Sequence, residues 1–294
     1  MTSALRFRGV FAAMVTPFTD DGRSLSEARL RAYCDFLIDK GMSGLFAFGT
    51  TGEWPLLAES ERTSGARIIV QQVHGRVPVI AHVGAHDTAQ VIRLAVGARE
   101  AGVDAVSLVA PPFFPLDDDA LFDHFTAVAR AVAGLPVFLY NIPEYAGNDI
   151  SPQLFLRVAG EADNVIGMKH SGDSLTRIRE YRRAMGTGFC LFNGNDSLAL
   201  PALHEGVDGL VSGNASTRPE LPAALYALFR EGKHGEAAEK QRALDDFIAG
   251  LDSSCELSSF KAMLALRGIP VGDVRPPLKR LGAKGRDALG RLLP

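Results

Sequence analysis

The sequence predicts an α/β fold of the closed (β/α)8 class, a TIM barrel with a C-terminal helical extension. Three observations predict it: eight short apolar runs, helical periodicity between them, and starts spaced by roughly 20 to 35 residues. Apolar runs without polar alternation are typical of strands buried on both faces, which occur in parallel sheets. A doubly wound open sheet is the alternative, but no Gly-x-Gly-x-x-Gly fingerprint follows the first run.

The eight candidate strands are too short to be helices. In chain order they span 10–15, 45–48, 77–81, 105–109, 137–140, 165–169, 189–192 and 209–212. Eight strand–helix units of this length favour one closed barrel over two smaller domains.

Helical periodicity fills the intervals between the strands. Apolar residues from Leu30 to Ile38 recur on one helix face, and Ser24 with Glu27 is predicted to form a capping box before it. Three further predicted helices follow Asp87, Ala120 and Ser174 and end at Gly102, Gly134 and Gly186.

The end of the chain contains no further strand-like run. Helical patterns are predicted instead at 223–230, 236–251, 258–267 and 283–293. We therefore assign residues 1–225 to the barrel and residues 226–294 to a helical extension of the same domain.

Composition excludes several classes of protein. The chain of 294 residues has 31 Lys and Arg against 34 Asp and Glu, a formal net charge of -3. Neither nucleic acid nor a membrane is an expected partner, since no basic excess and no apolar run of ~20 residues is present. Three widely spaced cysteines do not suggest a disulfide scaffold and fit a reducing compartment, so we expect a cytoplasmic protein.

Lys169 is the most informative residue, because it ends an apolar strand. Active sites of this fold lie at the C-terminal ends of the strands. Burial disfavours a charged ammonium, so Lys169 is a candidate for the neutral amine that forms a Schiff base with ketones and keto acids. The alternative is a structural lysine paired with a buried carboxylate such as Asp173 or Asp196.

Two other strand ends carry groups that suit a carbonyl substrate. Tyr140 ends the fifth strand, where its phenol could exchange protons with a substrate or be a core tyrosine with a satisfied hydroxyl. The turn of Gly49, Thr50, Thr51 and Gly52 offers consecutive N–H groups that suit a carboxylate. It could also be a tight connection in which Thr51 caps a helix.

The sequence predicts neither a metal site nor a nucleotide loop. His82 and His86 are four residues apart, but a strand end and Gly84 separate them, so they do not share a helix face. A Walker-type loop and a Gly-x-Ser-x-Gly elbow with a triad are both absent from the sequence.

Several motifs, in order, carry a resemblance to a known family. They are Thr16-Pro17-Phe18, Gly49-Thr50-Thr51-Gly52-Glu53, Tyr140-Asn141-Ile142-Pro143 and Gly167-Met168-Lys169. With them, nearly the whole chain resembles the dihydrodipicolinate synthase/N-acetylneuraminate lyase family of class I, pyruvate-handling aldolases. The resemblance implies a (β/α)8 barrel with a C-terminal helical extension, usually a homotetramer, and no cofactor or metal beyond the covalent lysine imine.

The resemblance also implies roles for individual residues. Lys169 is expected to form the Schiff base, while Tyr140 shuttles protons and Thr50 supplies a hydroxyl to the same relay. Thr51 is expected to bind the substrate carboxylate through its backbone N–H, and Gly52, in the same turn after the second strand, is a further predicted substrate-binding residue.

The other half of the expected site departs from the family pattern. Val211 aligns with the residue whose backbone carbonyl faces the substrate. Members that make dihydrodipicolinate have an arginine where this chain has Tyr145, and a tyrosine from a neighbouring subunit where it has Phe114. Tyr145, Trp54 and Ser171 offer hydroxyl groups and an aromatic wall in place of a bidentate guanidinium.

We therefore predict a Schiff-base lyase or aldolase for pyruvate-type 2-keto acids, with a 2-keto-3-deoxy sugar acid aldolase or dehydratase as the leading interpretation. Dihydrodipicolinate (4-hydroxy-tetrahydrodipicolinate) synthase is the alternative enzyme. A non-catalytic sugar-acid-binding protein on the same fold is the alternative from another class. The expected partner is a small keto acid, either pyruvate or a keto-deoxy sugar acid.

Overall fold

The computed structural model describes residues 6–251 and 253–293 and confirms the closed parallel barrel. Neighbouring strands pair in chain order, and the first strand closes the barrel against the eighth. The strands of the described chain are Gly9–Ala13 (β1), Gly44–Ala47 (β2), Val79–His82 (β3), Ala105–Val109 (β4), Val137–Asn141 (β5), Val165–His170 (β6), Cys190–Asn193 (β7) and Gly209–Ser212 (β8).

Helices cover the outside of the barrel and form its C-terminal extension. Within the described residues they are Glu27–Asp39 (α1), Glu59–Val73 (α2), Thr88–Ala101 (α3), Asp118–Ala131 (α4), Pro143–Ala146 (α5), Pro152–Glu161 (α6), Leu175–Met185 (α7), Ala199–His204 (α8), Glu220–Arg230 (α9), His234–Ala249 (α10), Glu256–Leu266 (α11) and Ala283–Gly290 (α12). Short 3-10 turns occur at Trp54–Leu56, Asp196–Leu198, Asn214–Ser216 and Ser253–Cys255.

Two local predictions are wrong. The first strand ends at Ala13, and Met14 and Val15 are buried in the loop that follows, so the end of the apolar run reports burial and not pairing. The capping box at Ser24 does not form, since Ser26 is the residue before α1. The carbonyl of Ser24 instead accepts a hydrogen bond from the backbone N–H of Thr19 (2.9 Å), which closes a turn.

Aromatic side chains fill the barrel interior beneath the strand ends. The Phe11 and Phe192 rings lie 5.0 Å apart, those of Phe7 and Phe138 lie 5.1 Å apart, and those of Phe138 and Phe192 lie 5.6 Å apart. Centroid separations of this size are favourable for aromatic pairs. The packed rings close the barrel interior below the C-terminal ends of the strands.

A buried ion pair joins the extension to the barrel. The ammonium of Lys261 in α11 lies 2.6 Å from the carboxylate of Glu53, in the loop after β2, and both side chains are almost fully buried. The other Glu53 oxygen accepts the backbone N–H of Arg275 at 2.9 Å. Through these contacts the segment after α11 is held against the second βα loop, at the mouth of the barrel.

The described residues, 6–251 and 253–293, include no helix whose length and apolar character would allow it to span a bilayer.

Candidate active site

Lys169 lies near the end of β6 with its side chain in the mouth of the barrel, 5% exposed. Its Nζ atom lies 4.0 Å from the centre of the Tyr140 ring and 4.7 Å from the centre of the Phe46 ring. The described part of the chain contains no ion pair to Lys169. Asp173 and Asp196, which could have neutralised it, accept hydrogen bonds from asparagine side chains instead.

Space for the Lys169 side chain depends on a glycine opposite it. A Cβ at Gly194, after β7, would lie 2.6 Å from Cε of Lys169 and 2.1 Å from Oγ of Ser171. Neither distance is possible for a real side chain, so only glycine lets both residues reach the same space.

Parallel pairing places Tyr140 directly beside Lys169. The two residues are register partners in β5 and β6, and the Tyr140 hydroxyl lies 3.4 Å from Oγ1 of Thr50. Burial on its own raises the pKa of Tyr140, but the Lys169 ammonium and the Thr50 hydroxyl oppose it and leave the pKa below its usual value. An unpaired amine beside such a phenol can attack a carbonyl and pass on the protons that this releases.

The turn after β2 places Thr50 and Thr51 in the wall of the cavity, whereas Gly52 lies buried behind them. The Gly52 N–H donates to the carbonyl of Gly49 (3.0 Å), and the Gly52 carbonyl accepts the hydroxyl of Thr16 (2.6 Å). The Thr51 N–H donates to no acceptor within the described residues. Of the backbone amides of these two predicted substrate-binding residues, therefore, the Thr51 amide is free and the Gly52 amide is used to close the turn.

The remaining predicted residues line the same cavity, whose volume is about 250 Å³. Val211 contributes from β8, Tyr145 from α5 and Ser171 from the end of β6. Among the described residues, Oγ of Ser171 and Oδ1 of Asn214 are buried at this cavity without a hydrogen-bond partner. The structure thus gathers Lys169, Tyr140, Thr50, Thr51, Val211, Tyr145 and Ser171 around one space.

This geometry agrees with the comparisons to known proteins. The model of the dihydrodipicolinate synthetase family matches residues 6–294. The chain belongs to this family. Its members are lyases that form a Schiff base between a lysine and pyruvate and need no separate cofactor, so the predicted enzyme class is confirmed.

Individual relatives of this family differ in their named activities. A 4-hydroxy-tetrahydrodipicolinate synthase from Desulforamulus reducens is 35% identical over 96% of this chain and 95% of its own. A prophage protein of the family from E. coli K12, solved in complex with pyruvate, is 30% identical, with a TM-score of 0.92 and 97% of each chain covered. A Ruminococcus gnavus sialic acid aldolase, solved as a catalytic lysine mutant, is 26% identical, with a TM-score of 0.96 over 99% of this chain and 96% of its own.

His82 is a neighbour of the candidate site that the sequence analysis considered only as a metal ligand. It ends β3 fully buried, with its ring 5.7 Å from the Tyr140 ring and 6.3 Å from the Phe46 ring. Burial, with Arg62 and Lys169 nearby, lowers its pKa well below the usual value, so the ring is neutral at neutral pH. Lys169 was identified because it is a polar residue at the end of a predicted strand. His82 occupies the same kind of position, so the same criterion could have identified it.

Glu256 is a second residue that the sequence analysis missed. It begins α11 in the C-terminal extension and lines the cavity of Lys169. Partial desolvation in the cavity wall and the nearby Asp196 raise the pKa of its carboxyl group, although the residue as a whole is exposed. Nothing in the sequence connects the extension with the barrel mouth, so no local signal could have identified it.

A larger cavity of about 520 Å³ adjoins the first. The two cavities share lining residues, namely Thr50, Ile142, Tyr145, Glu256 and Leu257. Elsewhere, the part of the chain that the structure describes holds no group of three or more His, Cys, Asp or Glu side chains arranged to bind a metal ion.

Proposed function

We propose that Lys169 is the Schiff-base lysine and that the enzyme cleaves or dehydrates 2-keto-3-deoxy sugar acids. The observation that carries the proposal is the buried Lys169 amine, which has no ion-pair partner in the described chain and lies against Tyr140 and Thr50. A buried lysine without an ion-pair partner can attack a carbonyl carbon, and the hydroxyl groups of Tyr140 and Thr50 can relay the protons that the reaction needs.

In the proposed cleavage, the Lys169 amine adds to the C2 carbonyl and water leaves, which forms the imine. The C4 hydroxyl then loses its proton, the C3–C4 bond breaks, and its electron pair moves toward the imine to form an enamine as the aldehyde departs. Protonation of C3 and hydrolysis by water release pyruvate and free Lys169. Tyr140 is the proposed carrier of these protons, since its lowered pKa makes the phenolate form easier to reach.

The substrate carboxylate is proposed to bind at the turn after β2. The free N–H of Thr51 supports this, because hydrogen bonds from backbone amides to a carboxylate are among the stronger ones. Val211 lines the same cavity.

Polar groups around the rest of the cavity support a hydroxylated tail. The unpartnered oxygens of Ser171 and Asn214 can form hydrogen bonds with hydroxyl groups of the substrate. Asp196 and Glu256 add carboxyl groups to the same lining. A second substrate carboxylate would meet these acidic groups, and no arginine in the described chain lines either cavity to neutralise it. Sugar hydroxyls suit this lining better.

The second candidate is 4-hydroxy-tetrahydrodipicolinate synthase, which the name of the Desulforamulus reducens relative favours. Tyr145 and Phe114 stand where such synthases are expected to have an arginine and a relay tyrosine. Since a hydrogen bond to a charged group is worth ~1.5–3 kcal/mol, we expect aspartate semialdehyde to react at least ~100-fold more slowly than the best sugar acid.

The test uses one enzyme preparation for imine formation and substrate range. Pyruvate with borohydride should add a reduced three-carbon adduct to the peptide that contains Lys169, and to no other. A panel of keto-deoxy sugar acids, with pyruvate plus aspartate semialdehyde, then ranks the substrates by pyruvate released or consumed, with and without EDTA. An adduct on another lysine, or loss of activity in EDTA, would contradict the proposed mechanism.

We also propose a cytoplasmic homotetramer. Phe113 and Phe114 support association with further copies, because these adjacent aromatic side chains are 86% and 68% exposed in the single chain. Phe113 also has a φ of 89°, a backbone conformation that costs energy for a side-chain-bearing residue. Light scattering on the purified protein should give four times the chain mass, and a monomer mass would contradict the assembly.

A further inference from the structure

We propose that the larger cavity binds an apolar or aromatic group on the aldehyde half of the substrate, so that the enzyme also condenses pyruvate with aromatic aldehydes. The inference rests on the proposed role of Lys169, since the larger cavity adjoins the one that Lys169 lines. It extends the proposed function to a substrate class that the polar lining around Ser171 and Asn214 does not require.

The two cavities adjoin where, in the proposed mechanism, the aldehyde would lie. Thr50 and Tyr145 line both, and so does Ile142, which follows β5 directly. An aldehyde carbon that reacts with a pyruvate enamine on Lys169 lies near Thr50 and Tyr140. Its substituent can then extend either toward Ser171 or into the larger cavity.

The larger cavity has a mainly apolar wall. Its carbon-rich members come from the C-terminal segment, from the end of β4 and from the segments that follow β2, β4 and β5, and they include Trp54, Leu56, Val109, Pro112, Ala146 and Leu278. A wall of this kind favours an apolar ligand, because apolar surface on both sides is removed from water.

Two polar residues of that wall are already bonded within the protein. Glu53 pairs with Lys261 and accepts the N–H of Arg275. The Ser258 hydroxyl donates to Asp273 (3.2 Å) and accepts the N–H of Leu281 (2.7 Å). These groups therefore add no open hydrogen-bonding demand to the cavity.

Trp54 makes an aromatic ligand more favourable than a purely aliphatic one. Its ring packs 5.8 Å from the His82 ring and 5.8 Å from the Arg62 guanidinium, which holds it in place as part of the wall. Tyr145 adds a second aromatic ring at the opening. Offset or edge contacts to such rings stabilise a planar aromatic group beyond the area it buries.

The chemistry is the proposed cleavage in reverse. The pyruvate imine on Lys169 loses a proton from C3 to form the enamine, and C3 forms a bond to the aldehyde carbon. The π electron pair of the aldehyde moves to its oxygen, which takes a proton through Tyr140. Water then hydrolyses the imine to a 4-hydroxy-2-keto acid with an aryl group on C4, and Lys169 is regenerated.

The experiment compares benzaldehyde with glyceraldehyde as acceptors for pyruvate. Borohydride trapping of the pyruvate imine on Lys169 is measured first and separately. Product is measured by mass spectrometry, and kcat/KM is determined for each aldehyde. Trp54 is the only tryptophan in the chain, so benzaldehyde in the cavity of the pyruvate-loaded enzyme should quench its fluorescence saturably, after correction for absorption.

Two matched variants place a carboxylate on the cavity wall or away from it. Leu278→Asp changes a wall residue that is 37% exposed, and Leu266→Asp changes a residue of α11 that is 47% exposed and lies outside the cavity. We expect Leu278→Asp to lower the ratio of kcat/KM for benzaldehyde to that for glyceraldehyde at least ~10-fold, since pocket contacts of this size discriminate by that factor. Leu266→Asp should leave the ratio within about twofold.

Each outcome decides the proposal. Condensation of benzaldehyde with quenching of Trp54, both weakened by Leu278→Asp and unaffected by Leu266→Asp, supports it. A trapped imine and turnover of glyceraldehyde, without benzaldehyde product, would overturn the cavity inference and leave the proposed function standing. If no imine forms on Lys169, both proposals fail. Equal ratios in the two variants would show that benzaldehyde reacts without using this cavity.

Discussion

Two lysines are buried near the mouth of this barrel, and their surroundings differ in one respect. Lys261 is 1% exposed, and its ammonium lies 2.6 Å from the Glu53 carboxylate. Lys169 is 5% exposed, has no ion pair within the described residues, and faces the rings of Tyr140 and Phe46. Burial alone therefore does not distinguish the two lysines, whereas the presence of a carboxylate partner does.

The presence of a carboxylate beside Lys261 and its absence beside Lys169 fit two different expected roles, one structural and one catalytic. Burial lowers the pKa of Lys261 and Glu53 opposes this, and the pair joins the C-terminal extension to the loop after β2. Lys169, by contrast, is proposed as a nucleophile, and an ion pair would occupy the amine that has to reach a carbonyl carbon. Removal of each lysine should accordingly affect a different property, and the following predictions test this separation from the largest expected effect to the smallest.

Lys169→Met should abolish catalysis and spare the fold. Without the nucleophile, we expect kcat/KM to fall by at least ~10⁴-fold, since the covalent route is lost entirely. The melting temperature should stay near that of the wild type, because no ion pair is broken. Pyruvate release and thermal unfolding measured on the same sample check both statements, and a variant that still forms a borohydride-stable adduct would remove Lys169 from the mechanism.

Tyr140→Phe should come next in size. It removes the hydroxyl that faces Thr50 and keeps the ring beside Lys169, so kcat should fall by ~10²–10⁴-fold while trapping of the imine is slowed. Thr50→Val is the matched test of the relay partner and should have a smaller effect in the same direction. Turnover of Tyr140→Phe at the wild-type rate would make Tyr140 a structural residue.

Lys261→Met should affect stability and not chemistry. It leaves the Glu53 carboxylate buried without its partner, which costs ~3–5 kcal/mol of unfolding free energy. The double variant with Glu53→Gln should recover much of that loss, because no buried charge remains. Urea unfolding measures the loss, and a trapped imine on Lys169 in all three proteins shows that the site is intact. An unfolding free energy of Lys261→Met equal to that of the wild type would mean that the ion pair does not stabilise the attachment of the C-terminal extension.

Acid should destabilise the barrel through buried histidines. Burial lowers the pKa values of His124 and His170 to about 4, so both are neutral in the folded state at neutral pH. Because the unfolded chain binds these protons at a higher pH, stability is lost as the pH falls from about 6.5 toward 4, by at most ~1.4 kcal/mol per unit for each histidine. Urea unfolding at pH 7, 6 and 5 measures the slope.

A pair of histidine variants assigns that slope. His124→Gln should flatten it, and His204→Gln, at an exposed position, should leave it unchanged. His124 is away from Lys169 and bonds to the Thr88 hydroxyl (2.9 Å), so the variant tests stability without touching the site. An unchanged slope in His124→Gln would mean that other groups carry the acid sensitivity.

The sequence by itself determined the barrel and the central pair of the site. Apolar runs specify strands buried on both faces, and two of the predicted spans, 105–109 and 209–212, agree with β4 and β8 at both ends. Because parallel strands end at the same face of a barrel, Lys169 and Tyr140 could be placed together from their positions alone. Local pattern was less reliable at Ser24, whose backbone carbonyl closes a turn with Thr19 instead of the residue capping α1.

Only the tertiary structure decided which groups around that pair remain free. The N–H of Gly52 closes its own turn while that of Thr51 does not, and no pattern in four residues distinguishes the two. Glu256 lines the candidate site, and the larger cavity forms, because the C-terminal extension folds over the barrel mouth. The ion pair of Lys261 and Glu53 holds the extension in that position. Contacts between residues so far apart in the chain depend on three-dimensional packing, which periodicity and spacing do not encode.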